Sequence, residues 1–361
     1  MKKQTKEAIQ LLRKLISIES FSKHENKTAD EIVVYLNEKG VVTNRVLNNV
    51  WAVNKYFDAN KPTILLNSHH DTVKPNSKYT RDPFCPLVED GKLYGLGSND
   101  AGGALVSLMA CFIYFYTRKN LTFNLLFAAS SEEEISGANG IEKILPLLGT
   151  ISFGLVGEPT KMNMAIAEKG LVVLDCIAHG VAGHAAREEG ENAIYKAIKD
   201  IEWFRTYKFP EVSQTLGEIK MTVSLLNAGS QHNIVPDSCS FTVDVRTTDA
   251  YSNNETVELI KKNVSCEVEP RSIRLNSSSI NFNHPIVQTG ISMGLFPYGS
   301  PTLSDQSLMN FPTLKMGPGD SARSHTADEF IFIQEIEKAV EVYIQLFEKL
   351  TLDKSFLFNL N

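Results

Sequence analysis

Histidine and acidic residues cluster in five short segments of the 361-residue chain, and four of these follow apolar runs typical of buried strands. These four are "SHHDTV", "SNDAGG", "SSEEEISG" and "GEPT", and the fifth, "RSHTADE", lies near the C-terminus. A mixed set of imidazoles and carboxylates is the ligand class preferred by zinc and its first-row neighbours rather than by calcium or magnesium. Together the five segments therefore predict a transition-metal site.

Each segment taken alone has a simpler interpretation. A single His-x-Asp such as His69 and Asp71 is more often a helix cap, a solvated turn or a core histidine whose hydrogen bonds are satisfied, because neutral imidazoles are ordinary buried donors. The glutamates at 132–134 would by themselves be typical of a solvated helix start. Their occurrence together favours catalysis, since a zinc pair can lower the pKa of a water from about 15.7 toward about 7 and an adjacent carboxylate can take its proton.

Strands and helices alternate along the first half of the chain and would position these segments. Strands are predicted at "NVWAVNKYF", "TILLNSH", "FNLLFAAS" and "FGLVGEP", with a buried helix from Ala101 and a short helix at "GANGIEKIL". Upstream, Thr28 with Glu31 forms a capping-box pattern, which predicts a helix starting there and ending near Gly40. This alternation predicts an α/β sheet with parallel neighbours, and sites in such sheets lie at the carboxyl ends of strands.

A different order of elements occupies residues 171–275. The apolar patterns there read strand, helix, strand, strand, helix, strand, which is the ferredoxin-like unit. We therefore predict an inserted domain at 171–275, within a catalytic domain formed by 1–170 and 276–361. The catalytic domain is predicted to end in the amphipathic helix "IQEIEKAVEVYIQLFEKL".

Composition argues against several partner classes. The net charge is −6 with no basic tract, which argues against nucleic acid or an anionic membrane as the main partner. The five cysteines are scattered without a C-x-x-C pair, so we expect reduced thiols and a cytoplasmic, reducing compartment. The N-terminus is predicted to be an amphipathic helix rather than an export signal, and residues 101–117 a buried helix rather than a membrane span.

The motifs and their order resemble the two-zinc amidohydrolases and exopeptidases, a family that includes acetylornithine deacetylase, acetylcitrulline deacetylase, succinyl-diaminopimelate desuccinylase and carboxypeptidase G. The resemblance covers nearly the whole chain, and "GPGDSARSHTADEF" and "GHAAREEGENAIYKA" are most similar to the acetylornithine deacetylase branch. It implies a zinc-peptidase-like catalytic domain, with a mostly parallel sheet flanked by helices, and an inserted lid or dimerisation domain. It also implies a homodimer.

Carried onto the matching positions, the resemblance implies two zinc ions, with cobalt or manganese as alternatives. The implied metal ligands are His69, Asp100, Glu134, Glu158 and His325. Asp100 would bridge the two ions, Asp71 would accept the second ring hydrogen of His69, and Glu133 would be the general base. His70 receives no chemical role and is expected to be a packing or surface residue, because strand alternation sends it to the opposite side from His69.

The resemblance implies three further residues in the inserted domain. His184 would reach the active site of the partner subunit and donate to the developing oxyanion. Asn233 would contact a polar group of the substrate, and Arg246 would hold a substrate carboxylate. An arginine that ends a strand also fits a surface ion pair, and this alternative stays open for Arg246.

The function implied is zinc-dependent hydrolysis of N-acyl amino acids such as N-acetylornithine or N-acetylcitrulline, in arginine biosynthesis. The alternatives within the same class are an N-succinyl- or N-acetyl-lysine or diaminopimelate deacylase, or a metallo-dipeptidase or aminopeptidase. A metal-free binding or regulatory protein of this fold would have lost a ligand or the base, whereas this chain keeps both. The sequence leaves open the amino acid, the acyl group and the metal.

Overall fold

The strands that precede the polar segments lie side by side in the larger of two units of the computed structural model, which describes residues 2–187 and 189–352. The larger unit takes in the described residues within 1–166, 279–298 and 304–361, and the smaller unit those within 167–278 and 299–303. The limits predicted from the sequence for the inserted domain are 171 and 275, and they leave out 299–303.

The described residues form helices and strands that we number in chain order. The α-helices are α1 (Lys2–Ile16), α2 (Asn26–Glu38), α3 (Gly103–Phe115), α4 (Ile141–Ile144), α5 (Ala193–Thr206), α6 (Asn253–Lys261), α7 (Pro285–Ser292) and α8 (Ile333–Leu352). The strands are β1 (Asn44–Val46), β2 (Asn49–Val53), β3 (Thr63–His69), β4 (Val88–Glu89), β5 (Lys92–Tyr94), β6 (Asn124–Ser130), β7 (Phe153–Val156), β8 (Met164–Glu168), β9 (Val172–His179), β10 (Gly183–His184), β11 (Lys220–Ala228), β12 (Ile234–Val235), β13 (Ser238–Arg246), β14 (Glu267–Pro270), β15 (Ser278–Ser279), β16 (Pro297–Ser300), β17 (Thr313–Lys315) and β18 (Phe330–Phe332).

Parallel strands occupy the middle of the larger unit's sheet. The order runs β1-β2-β6-β3-β7-β17-β8, with parallel pairing from β6 to β17 and antiparallel pairing toward both ends. Every residue of β3 and β6 is buried, because α3 packs on one face of the sheet and Ile141 and Ile144 of α4 pack on the other. The predicted α/β fold with a mostly parallel, helix-flanked sheet is confirmed.

Helix α3 accounts for the longest apolar stretch of the chain. Its residues from Gly103 to Phe112 are all buried, as predicted, although it begins two residues after Ala101 because Ser98–Gly102 form a separate turn. None of the helices within the described residues combines the length and apolar character needed to cross a membrane.

The predicted start of the second helix is wrong. Helix α2 begins at Asn26, so Thr28 lies inside the first turn, and the N-cap residue Glu25 makes no capping hydrogen bond with its side chain. The Thr28 hydroxyl lies 2.9 Å from the Glu25 carbonyl oxygen and 2.9 Å from Nδ1 of His70. A tertiary contact to a buried histidine has therefore replaced the local capping box that the spacing favours.

The smaller unit has an antiparallel sheet, in the order β11-β13-β9-β14, with one buried face. Alternate residues of β9 and β13 are buried, which is the pattern of a sheet covered on one side only. Residues of α5 and α6, among them Phe204 and Ile260, complete its core. The chain order β9-α5-β11-β13-α6-β14 reproduces the predicted ferredoxin-like unit.

Candidate active site

The parallel strands bring three polar segments to one edge of the larger unit's sheet, and two further segments join them there. His69 is the last residue of β3, the glutamates at 132–134 follow β6, and Glu158 follows β7. Strands β6, β3 and β7 are parallel neighbours, so their carboxyl ends meet at the same edge. Asp100 is in the turn before α3, and His325 is in the segment before β18.

The His69 ring lies at the centre of this group of residues. Its Nε2 atom is 3.3 Å from Oδ1 of Asp100, 3.7 Å from Oε1 of Glu158 and 3.9 Å from Oε2 of Glu133. Its Nδ1 atom is 3.0 Å from the carbonyl oxygen of Asp71 and 3.5 Å from that residue's Oδ1. A proton held on Nδ1 by these two oxygens leaves Nε2 free to act as a metal ligand.

The Asp71 carboxylate also holds the backbone of the glutamate segment. Its Oδ1 accepts the N–H of Glu133 at 3.0 Å, and its Oδ2 accepts the N–H of Glu134 at 3.2 Å and the hydroxyl of Ser22 at 2.7 Å. The nearer acceptor for the His69 ring is the Asp71 carbonyl rather than the carboxylate expected from the sequence. Asp71 therefore positions both the histidine and the two glutamates.

His325 completes the group from the C-terminal part of the chain. Its Nε2 atom is 2.9 Å from Oε2 of Glu134 and 3.7 Å from Oδ2 of Asp100. The hydrogen bond to Glu134 raises the pKa of His325 to about 9. Asp100 thus lies between the two histidines, with one oxygen toward each, which suits a bridging carboxylate.

The buried acids around His69 would be stabilised by a bound cation. Burial raises the pKa of Glu158 to about 8, raises that of Glu133 well above its ordinary value, and raises that of Glu134 as well. The Oε1 atom of Glu158 is buried without a hydrogen-bond partner. Although burial opposes it, the charges of Glu133, Asp100, Asp71 and Glu158 raise the pKa of His69 well above its usual range. A bound divalent cation would offset this excess of acidic groups.

Two sets of three residues have ligand atoms within 4.8 Å of one another. One set is His69, Asp100 and Glu134, and the other is His69, Glu133 and Glu158. Nitrogen and carboxylate donors at this spacing fit zinc or a neighbouring first-row metal. All seven larger-unit residues singled out by the sequence are therefore close together, namely His69, Asp71, Asp100, Glu133, Glu134, Glu158 and His325.

His70 points away from these groups and is a buried packing residue. Its Nε2 atom lies 2.8 Å from the Asn48 carbonyl oxygen, and Nδ1 faces the Thr28 hydroxyl. Burial lowers the pKa of His70 to about 4. A neutral ring donates from Nε2 to the Asn48 carbonyl, and Nδ1 lies against the Thr28 hydroxyl, so His70 ties α2 to the end of β3.

The candidate residues of the smaller unit occupy two separate places. His184 in β10 pairs with Ile234 in β12, and the N–H of Ala185 donates to the Asn233 carbonyl at 3.0 Å. His184 and Asn233 are therefore neighbours on one exposed ribbon. Arg246 ends β13, where its Nε and one terminal nitrogen donate to the Asp244 carboxylate at 2.8 and 3.0 Å.

Sequence reasoning missed two buried acids beside the site. Asp305 accepts hydrogen bonds from the Asn67 amide at 2.8 Å and from the Ser130 hydroxyl at 2.6 Å. Glu329 accepts backbone N–H groups from the turn that carries Asp100. Glu329 belongs to the "RSHTADE" segment, and an acid just before the aromatic strand β18 is the one local signal that could have found it.

Comparison with known proteins identifies the family. The sequence profile of the Peptidase family M20/M25/M40 matches residues 65–349, and the chain belongs to this family. The family and the donor set described above together define a metal-dependent hydrolase.

Among curated relatives, the "Probable carboxypeptidase" of Paracoccidioides lutzii is 27% identical over 94% of this chain and 84% of its own length. The succinyl-diaminopimelate desuccinylase of Corynebacterium glutamicum is 27% identical over 93% of this chain and 95% of its own. The acetylornithine deacetylase of Buchnera aphidicola is 25% identical over 94% and 97%. These relatives include both peptidases and deacylases, so their names leave the substrate class open.

Solved structures share the fold. Aminopeptidase PepT from Bacillus cereus superposes with a TM-score of 0.75 at 19% identity, over 96% of this chain and 98% of its own. The Bacillus subtilis YXEP protein, described as a dinuclear metal binding peptidase, has a TM-score of 0.75 at 16% identity, over 98% and 99%. At these identities the likeness extends to the fold alone.

Proposed function

We propose that this protein is a two-zinc hydrolase that removes an acyl group from the α-nitrogen of an amino acid such as N-acetylornithine or N-acetylcitrulline, in arginine biosynthesis. The observation that carries the proposal is the meeting of two histidines with acids from four separate segments at one sheet edge. Five ligand-type residues exceed what one tetrahedral zinc needs.

The roles that we propose for the chain's residues are those implied by the resemblance, and their contacts are consistent with them. The zinc ions would polarise the scissile carbonyl and acidify the attacking water. His69, Asp100, Glu134, Glu158 and His325 would hold them, with cobalt or manganese as alternatives. Glu133, whose Oε2 lies 3.9 Å from Nε2 of His69, would take the proton from the water and pass it to the leaving nitrogen.

Arg246 is the residue that we assign to the substrate's α-carboxylate. Its paired bonds with Asp244 fix the plane of the guanidinium, and a planar guanidinium suits a carboxylate through parallel hydrogen bonds. The same pair also fits the surface ion pair that the sequence leaves open. Relatives named acetylornithine deacetylase and succinyl-diaminopimelate desuccinylase support a deacylase, and the relative named carboxypeptidase keeps a peptidase as the second candidate.

The experiment that tests the substrate class uses a panel of N-acyl amino acids with the metal-loaded protein. N-acetylornithine and N-acetylcitrulline are compared with their N-succinyl and diaminopimelate counterparts, with dipeptides, and with the same compounds amidated at the α-carboxylate. Free-acid N-acetyl substrates should have the highest kcat/KM. Equal cleavage of free acids and amides would favour a peptidase over a deacylase of free N-acyl amino acids.

A second proposal concerns assembly as a homodimer through the smaller unit. His184 and Asn233 lie beside the Ser238 end of β13, while Arg246 is at its other end. A strand of that length spans about 26 Å at roughly 3.3 Å per residue. One chain's ribbon and arginine are therefore too far apart to share a small substrate, whereas His184 and Asn233 from a second copy could complement Arg246 of the first.

Two features of the smaller unit support such a contact. Strand β11 lies at one edge of its sheet, and Leu225 and Leu226 on it are exposed, as are Tyr195 and Ile198 of α5. An exposed apolar edge strand is suited to continuation across a twofold axis. Mixing inactive Glu133→Ala with inactive His184→Ala should restore part of the activity in hybrid dimers. A fully active monomer would exclude this arrangement.

A further inference from the structure

The buried Glu329 carboxylate gathers the backbone of the turn that carries Asp100. Its Oε1 atom accepts the N–H of Asn99 at 2.8 Å and the N–H of Asp100 itself at 2.9 Å, and its Oε2 accepts the N–H of Gly97 at 3.0 Å. Glu329 is 2% exposed. Three N–H groups converging on one carboxylate form a small anion-binding nest of backbone dipoles.

The backbone of this turn is shaped to receive the carboxylate. Gly97 has a φ of 74°, and a Cβ atom there would lie 2.6 Å from Cγ2 of Thr72. A side chain at this position would therefore be strained both by conformation and by contact. The conformation that presents the Gly97 N–H to Glu329 is therefore one that favours glycine.

The Asn99 side chain extends the same network to the segment that carries His325. Its Oδ1 accepts the N–H of Asp320 at 3.0 Å, while its Nδ2 donates to the Asp320 carbonyl at 3.1 Å and to the Ser324 hydroxyl at 3.4 Å. Ser324 directly precedes His325. One set of hydrogen bonds therefore fixes both the aspartate between the two histidines and the backbone next to the second histidine.

We infer that Glu329 is a positioning residue for the metal centre: through the peptides of Asn99 and Asp100 it fixes where the Asp100 carboxylate points. The inference rests on the proposed metal site. Glu329 does not itself contact His69, Glu134 or His325 among the contacts described above, so it acts through Asp100. Residues that orient metal ligands typically alter metal affinity or activity by about 10- to 100-fold when they are replaced.

The test measures metal affinity rather than turnover alone. In Glu329→Gln the side chain keeps its size, but its amide nitrogen cannot accept a backbone N–H. Zinc affinity is measured by competition with a chelator, and the visible spectrum of the cobalt-loaded protein reports ligand geometry. For Glu329→Gln we expect the zinc Kd to rise by about 10- to 100-fold, with an altered cobalt spectrum. Glu329→Asp keeps both acceptor oxygens on a shorter side chain, so its zinc Kd should lie between those of Glu329→Gln and the parent.

Glu335→Gln is the matched control. Glu335 is also a carboxylate that accepts a backbone N–H, that of Phe332 at 3.0 Å, and it pairs with Arg323 at 2.6 Å. It lies six residues from Glu329 and holds no part of the Asp100 turn. Its replacement should leave the zinc Kd within about threefold of the parent, while thermal unfolding of the two metal-free variants shows the stability lost by each.

The outcomes separate this inference from the proposed function. If the parent binds zinc tightly and Glu329→Gln binds it equally well with the same cobalt spectrum, the positioning role is wrong and the metal site stands. Equal weakening in Glu335→Gln would show a general loss of stability and would also overturn it. If Glu329→Gln does not fold, a parent-like Kd and spectrum for Glu329→Asp and for Asn99→Ala would refute it. A parent that binds no zinc would refute the metal site itself.

Discussion

The candidate residues of the two units differ in how the backbone holds them. Those of the larger unit lie at the ends of the buried strands β3, β6 and β7 or in two segments that meet them there, and they contact one another, with His69 only 1% exposed. In the smaller unit His184 and Asn233 lie on an exposed ribbon, and Arg246 contacts an acid of its own strand. The larger unit therefore has a preformed cluster, whereas the proposed roles of the smaller unit need a substrate and a second copy.

The largest effect that we expect is the loss of turnover in Glu133→Ala. If Glu133 is the general base, kcat should fall by about 10²- to 10⁴-fold, while bound zinc, measured by elemental analysis, stays at the parent level. This result would sharpen the comparison between the two units, since one side chain of the preformed cluster would be needed for catalysis but not for metal binding.

The neighbouring glutamate provides the control for that prediction. Glu132 binds the Asn139 side chain at 3.1 Å through Oε1 and faces the Asn139 N–H with Oε2. Glu132→Gln should therefore reduce stability and leave kcat near the parent value. If Glu132→Gln loses turnover and Glu133→Ala keeps it, the assignment of the glutamate triplet is shifted by one residue.

A smaller loss is expected for Asp71→Asn. The asparagine offers one acceptor in place of the two oxygens that hold the N–H groups of Glu133 and Glu134. We expect kcat/KM to fall by about 10- to 100-fold, measured with the best substrate of the panel. Ser22→Ala removes only the hydroxyl that donates to the same carboxylate, and less than threefold loss is expected. Similar losses in both variants would mean that Asp71 matters through folding alone.

In the smaller unit, Arg246→Ala should lower kcat/KM for free-acid substrates by at least about tenfold, equivalent to roughly 1.4 kcal/mol. The reason is the loss of a charge-assisted contact with the α-carboxylate. Amidated substrates should be poor for the parent and scarcely affected by the variant. Asp244→Asn, which weakens the ion pair but keeps the guanidinium, is the control. If Asp244→Asn lowers kcat/KM as much as Arg246→Ala does, the loss is explained by the ion pair and not by binding of the substrate carboxylate.

Local patterns predict the residues whose positions depend on a single strand. His69 and Glu158 follow apolar runs that become β3 and β7, so their place at the sheet edge follows from strand direction. Glu329 and Asp305 follow no predicted strand, and their roles depend on partners far away in sequence: the bonds of Glu329 to the Asp100 turn span 229 to 232 residues. Such contacts depend on the packing of whole segments, which local spacing does not specify.

The capping box at Thr28 and Glu31 failed for a related reason. The local pattern is sound, and the same device does form at Ser252 and Glu255, where Ser252 caps α6 and Glu255 binds back to the Ser252 N–H. At Thr28 the hydroxyl faces the ring of His70 instead. A capping pattern whose own side chains are exposed is thus decided locally, whereas one whose hydroxyl is buried beside the core is decided by tertiary contacts.

The smallest expected effect is a loss of folding stability at acidic pH, and it depends on a difference in burial between histidines of the two units. His284 in the larger unit is the N-cap of α7, accepts the N–H of Ile286 at 3.3 Å and packs against the Phe153 ring at 4.9 Å. Burial lowers its pKa to about 4. In the smaller unit, by contrast, the side chain of His179 is 65% exposed. We therefore expect acid to destabilise the larger unit through the buried His284.

The sign follows from proton uptake. Below about pH 6.5 the unfolded chain protonates this histidine while the folded chain does not, so folding stability falls as the pH drops from about 6.5 to 4 and is unaffected above that range. His284→Asn keeps a good N-cap without titrating. The free energy of unfolding is measured with urea at pH 7.5, 6 and 5. As the pH falls, that of the variant should increase relative to that of the parent by roughly 1–2 kcal/mol, after allowance for partial exposure. Carboxylates elsewhere titrate alike in both proteins and cancel in this difference. A constant difference between His284→Asn and the parent across the three pH values would show that His284 does not resist protonation in the folded protein.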